Sequence, residues 1–306
     1  MLNISCRVGN LILQSPFVLA SGIAGNEYSL LLRALRSGAS AVVTKTIFKD
    51  ERNGYPPPIY YESPNYSINA VGLPGKGVDR FLEHIRRAKT LEKPVIVSVG
   101  GTSIEEYGSV AAAVAKSGAD GVEINLSCPH VEGTGTEFGS DPELIRRVVE
   151  EVKSAVGDKP VFAKLTPNTH SIEELGLAAV EAGADGLTAV NTLRGMVFDS
   201  VLEEPVLSNV YGGVSGRALH PVAVYCVYAL RKALPHTPIF GVGGVYEVSD
   251  ALDFFLAGAD AVQVGTSISQ RGYGVFEELK KDLVDYLERK GYASFEEFVR
   301  KKRRWF

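Results

Sequence analysis

Short apolar runs rich in β-forming residues alternate along the chain with longer stretches that show helical periodicity. Four of these runs follow copies of one small-residue pattern: "SGASAVVTKT", "SGADGVEINLS", "AGADGLTAVNT" and "AGADAVQVGTS". The glycine of each copy suits a helix C-terminus, because glycine readily adopts the left-handed conformation found there. The run that follows each glycine is typical of a buried parallel strand.

Four further runs lie between the copies and predict the remaining strands: "FVLAS" (17–21), "VIVSV" (95–99), "VFAKL" (161–165) and "IFGVG" (239–243). The last three follow prolines, which suit strand entry because the missing N–H costs no ladder bond there. Helical patterns such as "SVAAAVAKSG" and "ELIRRVVEEVKSAV" fill the gaps. Eight strands alternating with helices predict an α/β fold, a (β/α)8 TIM barrel. A doubly wound open sheet would not give this regular pairing.

Three segments fall outside the regular pattern. Residues 1–15 predict a hairpin that turns at Gly9-Asn10 and closes the bottom of the barrel. Residues 47–68 and 193–216 predict long loops with Pro-rich or Gly-rich stretches, which leave the C-terminal face, where barrels carry active sites. Nothing indicates a second domain, so we expect residues 1–306 to form a single domain.

Composition excludes several classes of function. With 45% hydrophobic and 22% charged residues, the chain is typical of a soluble globular protein. Its net charge of −4 does not favour nucleic acid or an anionic membrane as a partner. The three scattered cysteines, Cys6, Cys128 and Cys226, argue against a disulfide framework, a zinc site or an iron–sulfur cluster within the chain, and we predict no metal site. Without a signal peptide or a long apolar run, we expect a cytoplasmic protein.

Polar residues and glycines collect where the predicted strands end. Gly243-Gly244 after the seventh strand and Gly265-Thr266 after the eighth let backbone N–H groups approach an anion. These two positions form the usual phosphate grip of a barrel, although either pair alone could be a tight turn.

Two lysines lie within otherwise apolar strand runs. An unpaired buried ammonium is costly, so Lys45 and Lys164 suggest an anionic ligand. The alternative is an internal ion pair, for which these strands offer only Glu123. Schiff-base chemistry at Lys164 is the competing function.

Three asparagines suggest recognition of a planar heterocycle. Asn69, Asn125 and Asn191 each offer donors and an acceptor, although singly each could be a turn or cap residue. The stretch "NAVGLPGKG" (69–77) exposes successive N–H groups around Gly72, which suits a carboxylate nest or an ordinary turn.

Taken in order, "LASG", "VVTKT", "NAVGLPG", "EINLSCPH", "FAKLTP", "AVNT", "GGVSG", "GVGG" and "VGT" resemble class 1 dihydroorotate dehydrogenases from about residue 16 onward. The loop "GTGTEFGSDPE" is more similar to class 1B, whose catalytic subunit works with an electron-transfer subunit. The resemblance implies FMN as cofactor and oxidation of dihydroorotate to orotate in pyrimidine biosynthesis.

The matching motifs also imply residue roles. Cys128 would be the general base that removes a proton from ring carbon five while hydride leaves carbon six for the flavin. Lys164 would lie by the flavin's pyrimidine edge and stabilise developing charge. The implied FMN-binding residues are Ser21, Lys45, Thr46, Ser98, Asn125, Lys164, Val190, Gly216, Gly243, Gly244, Gly265 and Thr266. The implied substrate-binding residues are Lys45, Asn69, Ala70, Val71, Gly72, Leu73, Asn125, Asn191 and Thr192.

Two positions depart from the class 1 pattern. His130 stands where an Asn is common, and Gly75 stands where another Asn is frequent. S-C-P-H also occurs in the FMN domain of dihydropyrimidine dehydrogenases, so oxidoreduction of dihydrouracil or dihydrothymine is the close alternative. The N-x-x-G-L-P turn favours orotate, because it is the carboxylate-binding pattern. More distant alternatives are a flavin-free phosphate-binding isomerase or lyase using Lys164, and a non-catalytic FMN-binding or scaffold subunit.

The resemblance to class 1B also implies a partner. The chain lacks a cysteine set for a cluster, so we expect a second subunit that carries FAD and [2Fe-2S] and passes electrons to NAD. The expected assembly is a heterotetramer around a homodimer core. Fumarate remains an alternative electron acceptor.

Overall fold

The eight predicted strand runs form one closed parallel barrel, which confirms the (β/α)8 fold. The computed structural model describes residues 2–23, 27–127 and 138–302. The barrel order is β3-β4-β9-β10-β11-β12-β17-β18, with β18 pairing back to β3. In chain order the strands are β1 (Cys6–Val8), β2 (Leu11–Leu13), β3 (Phe17–Leu19), β4 (Ala41–Val43), β5 (Glu51–Arg52), β6 (Tyr60–Glu62), β7 (Ser67–Asn69), β8 (Gly75–Lys76), β9 (Val95–Val99), β10 (Gly121–Asn125), β11 (Val161–Leu165), β12 (Gly186–Ala189), β13 (Leu193–Gly195), β14 (Phe198–Asp199), β15 (Glu204–Pro205), β16 (Gly212–Ser215), β17 (Ile239–Val242) and β18 (Ala261–Val264).

Helices surround the barrel, and most follow directly from the sequence pattern. The two quoted helical patterns correspond to α3 and α4, and Ser103 and Asp141 cap the N-termini of these helices by accepting backbone N–H bonds. None of the helices in the described ranges is both long enough and apolar enough to cross a membrane. The α-helices are α1 (Tyr28–Arg36), α2 (Val78–Ala88), α3 (Ile104–Ala115), α4 (Pro142–Val156), α5 (Ile172–Glu181), α6 (His220–Ala233), α7 (Val248–Leu256), α8 (Ser267–Arg271), α9 (Val275–Arg289) and α10 (Phe295–Lys302).

The predicted N-terminal hairpin is confirmed as the antiparallel pair β1–β2. Its buried side chains, among them Val8 and Leu13, belong to one apolar cluster with residues near the starts of the barrel strands, including Phe162 and Phe240. The rings of Phe162 and Phe240 meet edge to face with centroids 5.1 Å apart. The hairpin therefore closes the N-terminal end of the barrel and leaves the carboxyl end for chemistry.

The repeated Gly-Ala-Asp pattern has a structural cause at this closed end. Each Asp accepts the first backbone N–H of the preceding barrel strand and also pairs with a cation. The backbone contacts are Asp120 to Val95 at 2.7 Å, Asp185 to Val161 at 2.8 Å and Asp260 to Ile239 at 2.8 Å. The cations are Lys89 at 2.6 Å, Lys153 at 2.7 Å and Arg231 at 2.9 Å, respectively. In the first copy Ser40 replaces Asp, and its hydroxyl donates to the Ser15 and Phe17 carbonyls.

Residues 47–68 and 193–216 are the predicted long segments at the carboxyl end of the barrel, but the sequence did not predict the secondary structure within them. They contain short strands, and β13, β16, β7 and β6 form a four-stranded antiparallel sheet. The hairpin β14–β15 and the pair β5–β8 are further elements of these regions. The sheet escapes a sequence pattern because its strands are short and pair over long separations, as Asn69 does with Gly213.

Candidate active site

Four polar side chains predicted for the site form one hydrogen-bonded chain at the carboxyl end of the barrel. The Asn125 amide nitrogen donates to Thr46 Oγ1 at 3.0 Å, and Thr46 Oγ1 lies 3.0 Å from Ser98 Oγ. Asn191 donates to the Asn125 amide oxygen at 3.1 Å. Asn125 is buried, and its backbone carbonyl accepts the Tyr107 hydroxyl at 2.7 Å. These contacts fix the orientation of the Asn125 amide.

Lys164 lies next to this chain, because it pairs in register with Asn125 across β10 and β11. Its ammonium is 3.3 Å from a carboxylate oxygen of Glu123, and both side chains are buried. The internal ion pair that the sequence left as an alternative is therefore present. The charge of Lys164 does not require an external anion, although a ligand can still share it.

Lys45 differs from Lys164, since it makes no ion pair with any residue that the structure describes. Within the described parts of the chain, no acceptor or carboxylate bonds its ammonium, and partial burial lowers its pKa below the usual 10.5. Lys45 follows β4 and directly precedes Thr46, which bonds Asn125. A partly desolvated cation beside the hydrogen-bonded amides is a candidate for an anionic group.

Asn69 and Thr192 flank β16 from opposite sides. The Asn69 amide nitrogen donates to the Gly213 carbonyl at 3.3 Å. A Cβ on Gly213 would lie 2.1 Å from Thr192 Oγ1, so only glycine allows this approach. The structure therefore links Asn69 to the Thr192 region, whereas Asn125 and Asn191 bond each other directly.

The segment from Asn69 to Leu73 forms the predicted turn. Ala70 is buried, and the Val71 carbonyl accepts the Tyr55 N–H at 3.2 Å. Gly72 and Leu73 have positive φ angles of 76° and 54°, so two successive left-handed residues reverse the chain here.

The glycines predicted to grip a phosphate lie on neighbouring loops. A Cβ on Gly244 (φ 66°) would be 2.7 Å from the Gly216 carbonyl, so the segments after β16 and β17 touch. Gly243 comes just before it, and Val190 bonds the adjacent strand through its N–H to the Val242 carbonyl at 3.0 Å.

Gly265 and Thr266 follow β18, beside the end of β3. The Ala20 N–H bonds the Val264 carbonyl at 2.9 Å, so Ser21 lies alongside this turn. Ser267, the next residue, has a buried hydroxyl with no hydrogen-bond partner in the described parts of the chain. A buried unsatisfied hydroxyl at the predicted phosphate grip suggests that a ligand supplies the missing partner.

Sequence reasoning missed one residue that organises the site. Asn168, in the loop after β11, donates to the Thr192 carbonyl at 3.1 Å and accepts the Arg194 N–H at 2.8 Å. It therefore fixes the segment that carries Asn191 and Thr192. Its position after the Thr-Pro that ends the fifth strand is the only sequence signal, and that signal is shared by ordinary loop residues.

Two positions singled out in the sequence, Cys128 and His130, lie outside the described residues, as does most of the loop 131–140. The chain just before them is well fixed, because the Ser127 N–H donates to the Asn125 amide oxygen at 3.2 Å. Within the described residues, no cluster of three or more His, Cys, Asp or Glu side chains could hold a metal ion.

Comparison with known proteins gives a consistent result. The family model described as dihydroorotate dehydrogenase matches residues 3–287. A protein of Pyrococcus abyssi named dihydroorotate dehydrogenase B (NAD(+)), catalytic subunit, is 46% identical over 286 residues, which cover 94% of each chain. Proteins of the same name from Pyrococcus furiosus and Thermoplasma volcanium are 44% identical over 298 residues and 42% identical over 299 residues, covering 97–98% of this chain and 98% of each relative.

Proposed function

The chain belongs to the dihydroorotate dehydrogenase family, and from this we propose that it is the catalytic subunit of a class 1B enzyme. It oxidises dihydroorotate to orotate in pyrimidine biosynthesis. The observation that carries the proposal is the 46% identity, over 94% of both chains, to a catalytic subunit of that name. The hydrogen-bonded amides and the unpaired Lys45 at the carboxyl end of the barrel support it independently.

The family is flavin-dependent, and we propose FMN as the flavin. The residues fit this group in two respects: the buried Ser267 hydroxyl lacks a partner beside the phosphate grip, and Gly244 allows two loops to meet there. FMN supplies a hydride acceptor when bound. The residues that hold its phosphate are Gly243, Gly244, Gly265 and Thr266, and those that line the remainder are Ser21, Lys45, Thr46, Ser98, Asn125, Lys164, Val190 and Gly216.

The substrate is held by charge and by amide hydrogen bonds. Lys45 and the turn from Asn69 to Leu73 bind the substrate carboxylate, because Lys45 is a partly buried cation that pairs with no carboxylate among the described residues. Asn125, Asn191 and Thr192 bind the imide edge of the pyrimidine ring with donors and acceptors fixed by their mutual contacts.

Cys128 is the proposed general base. It follows directly after the segment fixed by Asn125 and removes a proton from ring carbon five. A free thiol has a pKa of about 8.5 and is mostly protonated at neutral pH. Turnover therefore rises with pH unless neighbouring groups stabilise the thiolate.

A second subunit completes the proposed enzyme. The relatives are named catalytic subunits of an NAD(+) enzyme, which implies a partner that transfers electrons. We assign FAD and [2Fe-2S] to that partner, since this chain has only three scattered cysteines. Exposed apolar side chains on the hairpin β14–β15 support a homodimer core of a heterotetramer. The cytoplasmic location stays a prediction.

Turnover with two substrates tests the proposed function. The chain purified with FMN should bleach on anaerobic addition of dihydroorotate and should respond far less to dihydrouracil. Preference for dihydrouracil would instead support the dihydropyrimidine alternative that His130 raised.

Copurification of the chain from its native host, followed by iron and FAD analysis, tests for the partner subunit. Efficient fumarate reduction by the isolated chain would contradict class 1B.

A further inference from the structure

A buried carboxylate lies one layer deeper in the barrel than Asn125. Glu123 is fully buried on β10 and accepts hydrogen bonds from side chains on three other barrel strands. The three donors are Lys164 Nζ at 3.3 Å, Thr188 Oγ1 at 3.0 Å and Gln263 Nε2 at 2.8 Å. Lys164 contacts one carboxylate oxygen, and the other two donors share the second. The orientation of the carboxylate is therefore determined by β11, β12 and β18 together.

Stability alone explains this arrangement poorly. A buried ion pair usually gains little over apolar residues of the same volume, because both charges lose hydration. The Gln263 amide oxygen is also buried without a partner in the described part of the chain, which adds a cost. Glu123 pairs in register with Phe162, a member of the apolar cluster at the closed end of the barrel, so the carboxylate borders an apolar layer. A functional reason for the carboxylate is therefore favoured.

The contacts of Lys164 indicate what that reason is. An ammonium has three N–H donors, and the contact with Glu123 is the one hydrogen bond that it makes to a described side chain. The other N–H groups of Lys164 can therefore donate to a ligand at the carboxyl end of the barrel. Glu123 holds the ammonium from the opposite side. The carboxylate also offsets part of the positive charge that a ligand experiences.

We propose that Glu123 is a positioning residue that acts through Lys164: it holds the ammonium in place and moderates the positive charge that reaches the flavin. This inference rests on the proposed function, in which Lys164 lies at the flavin's pyrimidine edge. Thr188 and Gln263 support it by holding the carboxylate. Glu123 touches neither substrate nor flavin in this proposal.

The midpoint potential of bound FMN measures the effect directly. Glu123→Gln keeps the shape and an acceptor for Lys164 but removes the negative charge, so reduced FMN, which carries more electron density, gains stability. At pH 6 we expect the equilibrium for two-electron reduction to move at least tenfold toward the reduced form, about 30 mV. Glu288→Gln, an exposed position on the outer helix α9, removes the same charge and should leave the potential unchanged.

A double-mutant cycle separates action through Lys164 from a general charge effect. In a Lys164→Met background, Glu123→Gln should move the equilibrium less than threefold. An unchanged or lowered potential in Glu123→Gln, or an equal shift in both backgrounds, would overturn the proposal. If the Glu123→Gln protein does not retain FMN, the midpoint potential is measured on Thr188→Val instead. This variant removes the hydrogen bond from Thr188 to the Glu123 carboxylate. The carboxylate then becomes a stronger counter-charge, so the potential of bound FMN should fall, and an unchanged potential would count against the proposal.

Failure of the proposed function is distinguishable in the same preparations. FMN content and dihydroorotate turnover of the unsubstituted chain test that function alone. If both are present while Glu123→Gln keeps the original potential, only the role of Glu123 is wrong. If the unsubstituted chain binds no FMN, both proposals fail.

Discussion

Asn125 shows how one residue can organise the site. Its side chain contacts Thr46, Asn191 and the Ser127 backbone, and its carbonyl is held by Tyr107. Strand-end position and amide chemistry were enough to predict Asn125 from the sequence. Its partners were harder to assign, because the hydrogen bond between Asn125 on β10 and Asn191, two residues after β12, depends on side-chain rotamers that no sequence pattern encodes.

Substitution of Cys128 tests the proposed base. Cys128→Ala should lower kcat for dihydroorotate about 10²-fold or more, since positioned acid–base catalysis contributes about 10² to 10⁴. The flavin absorbance should persist, because no proposed FMN contact is removed. Steady-state turnover with an artificial acceptor measures the loss. Cys226→Ala is the matched control, because Cys226 is a buried thiol on the outer helix α6 whose pKa burial raises to about 11. Full activity of Cys128→Ala would refute the assignment.

Orotate affinity should depend on pH through Lys45. Burial lowers the pKa of Lys45, so its ammonium loses its proton below the ordinary value of 10.5. The orotate carboxylate stays ionised throughout, so affinity is full at neutral pH and falls as pH rises through the lowered pKa. Flavin absorbance titrations with orotate between pH 6 and 10 measure this dependence.

Replacing Lys45 separates its titration from that of other groups. Lys45→Met should weaken binding at pH 7 about tenfold to a hundredfold, in line with a charged hydrogen bond of about 1.5 to 3 kcal/mol, and should remove the pH dependence. Lys76→Met, at an exposed lysine on β8, is the control and should retain both properties. A pH dependence that survives in Lys45→Met would assign the titration to another group.

At the scale of elements, each repeated Asp residue forms a hydrogen bond to the start of the preceding barrel strand, at the closed end of the barrel. The repeat itself was visible in the sequence, whereas the reason for its Asp was not. The contact joins each Asp to a residue 21 to 25 positions earlier in the chain. Such a separation carries no periodic signal. The strands and the hairpin were predictable because their apolar patterns are local.

Asp185→Ala should destabilise the barrel. It leaves the Val161 N–H without its acceptor and removes the partner of Lys153. An unsatisfied buried N–H costs about 1 to 3 kcal/mol, and we expect a loss of that size in the free energy of unfolding. Urea titration followed by circular dichroism measures it. Asp158→Ala, at an exposed carboxylate in the loop before β11, should stay within about 0.5 kcal/mol of the unsubstituted protein. Equal stability of the two variants would show that the Asp contacts contribute little.

The sheet of β13, β16, β7 and β6 shows where prediction from sequence ends. Its strands are only three or four residues of mixed character, such as "GGVS" and "SIN", and are too short to give a periodic signal. Their pairing depends on close approach of backbones, as at Gly212, where an added Cβ would lie 2.4 Å from the Asn69 carbonyl oxygen, and on the closed barrel beneath them. The length and location of these segments were enough to predict that they are functional. Their structure could not be predicted in the same way, because it depends on contacts made in the tertiary fold.

At the scale of the whole molecule, exposed apolar side chains cluster on the hairpin β14–β15. Phe198, Val201 and Leu202 are 60%, 87% and 68% exposed. Single exposed apolar residues are ordinary, but three on one short hairpin form an apolar surface, and we place the proposed homodimer contact there. Because the segments carrying this hairpin also hold Thr192 and Gly213, a homodimer through this surface would stabilise the substrate side of the site.

Charge at the tip of this hairpin should separate the homodimer. Leu202→Asp puts a carboxylate into the proposed contact, and burying an unpaired charge is costly, so the dimer should dissociate to monomers at micromolar concentration. Light scattering after size-exclusion chromatography measures the mass. Ile12→Asp, on the N-terminal hairpin, is the matched control because Ile12 is 64% exposed, close to Leu202 at 68%. A dimer that survives Leu202→Asp and is lost in Ile12→Asp would move the interface to the closed end of the barrel. A purely monomeric unsubstituted chain would remove the homodimer core from the proposed assembly.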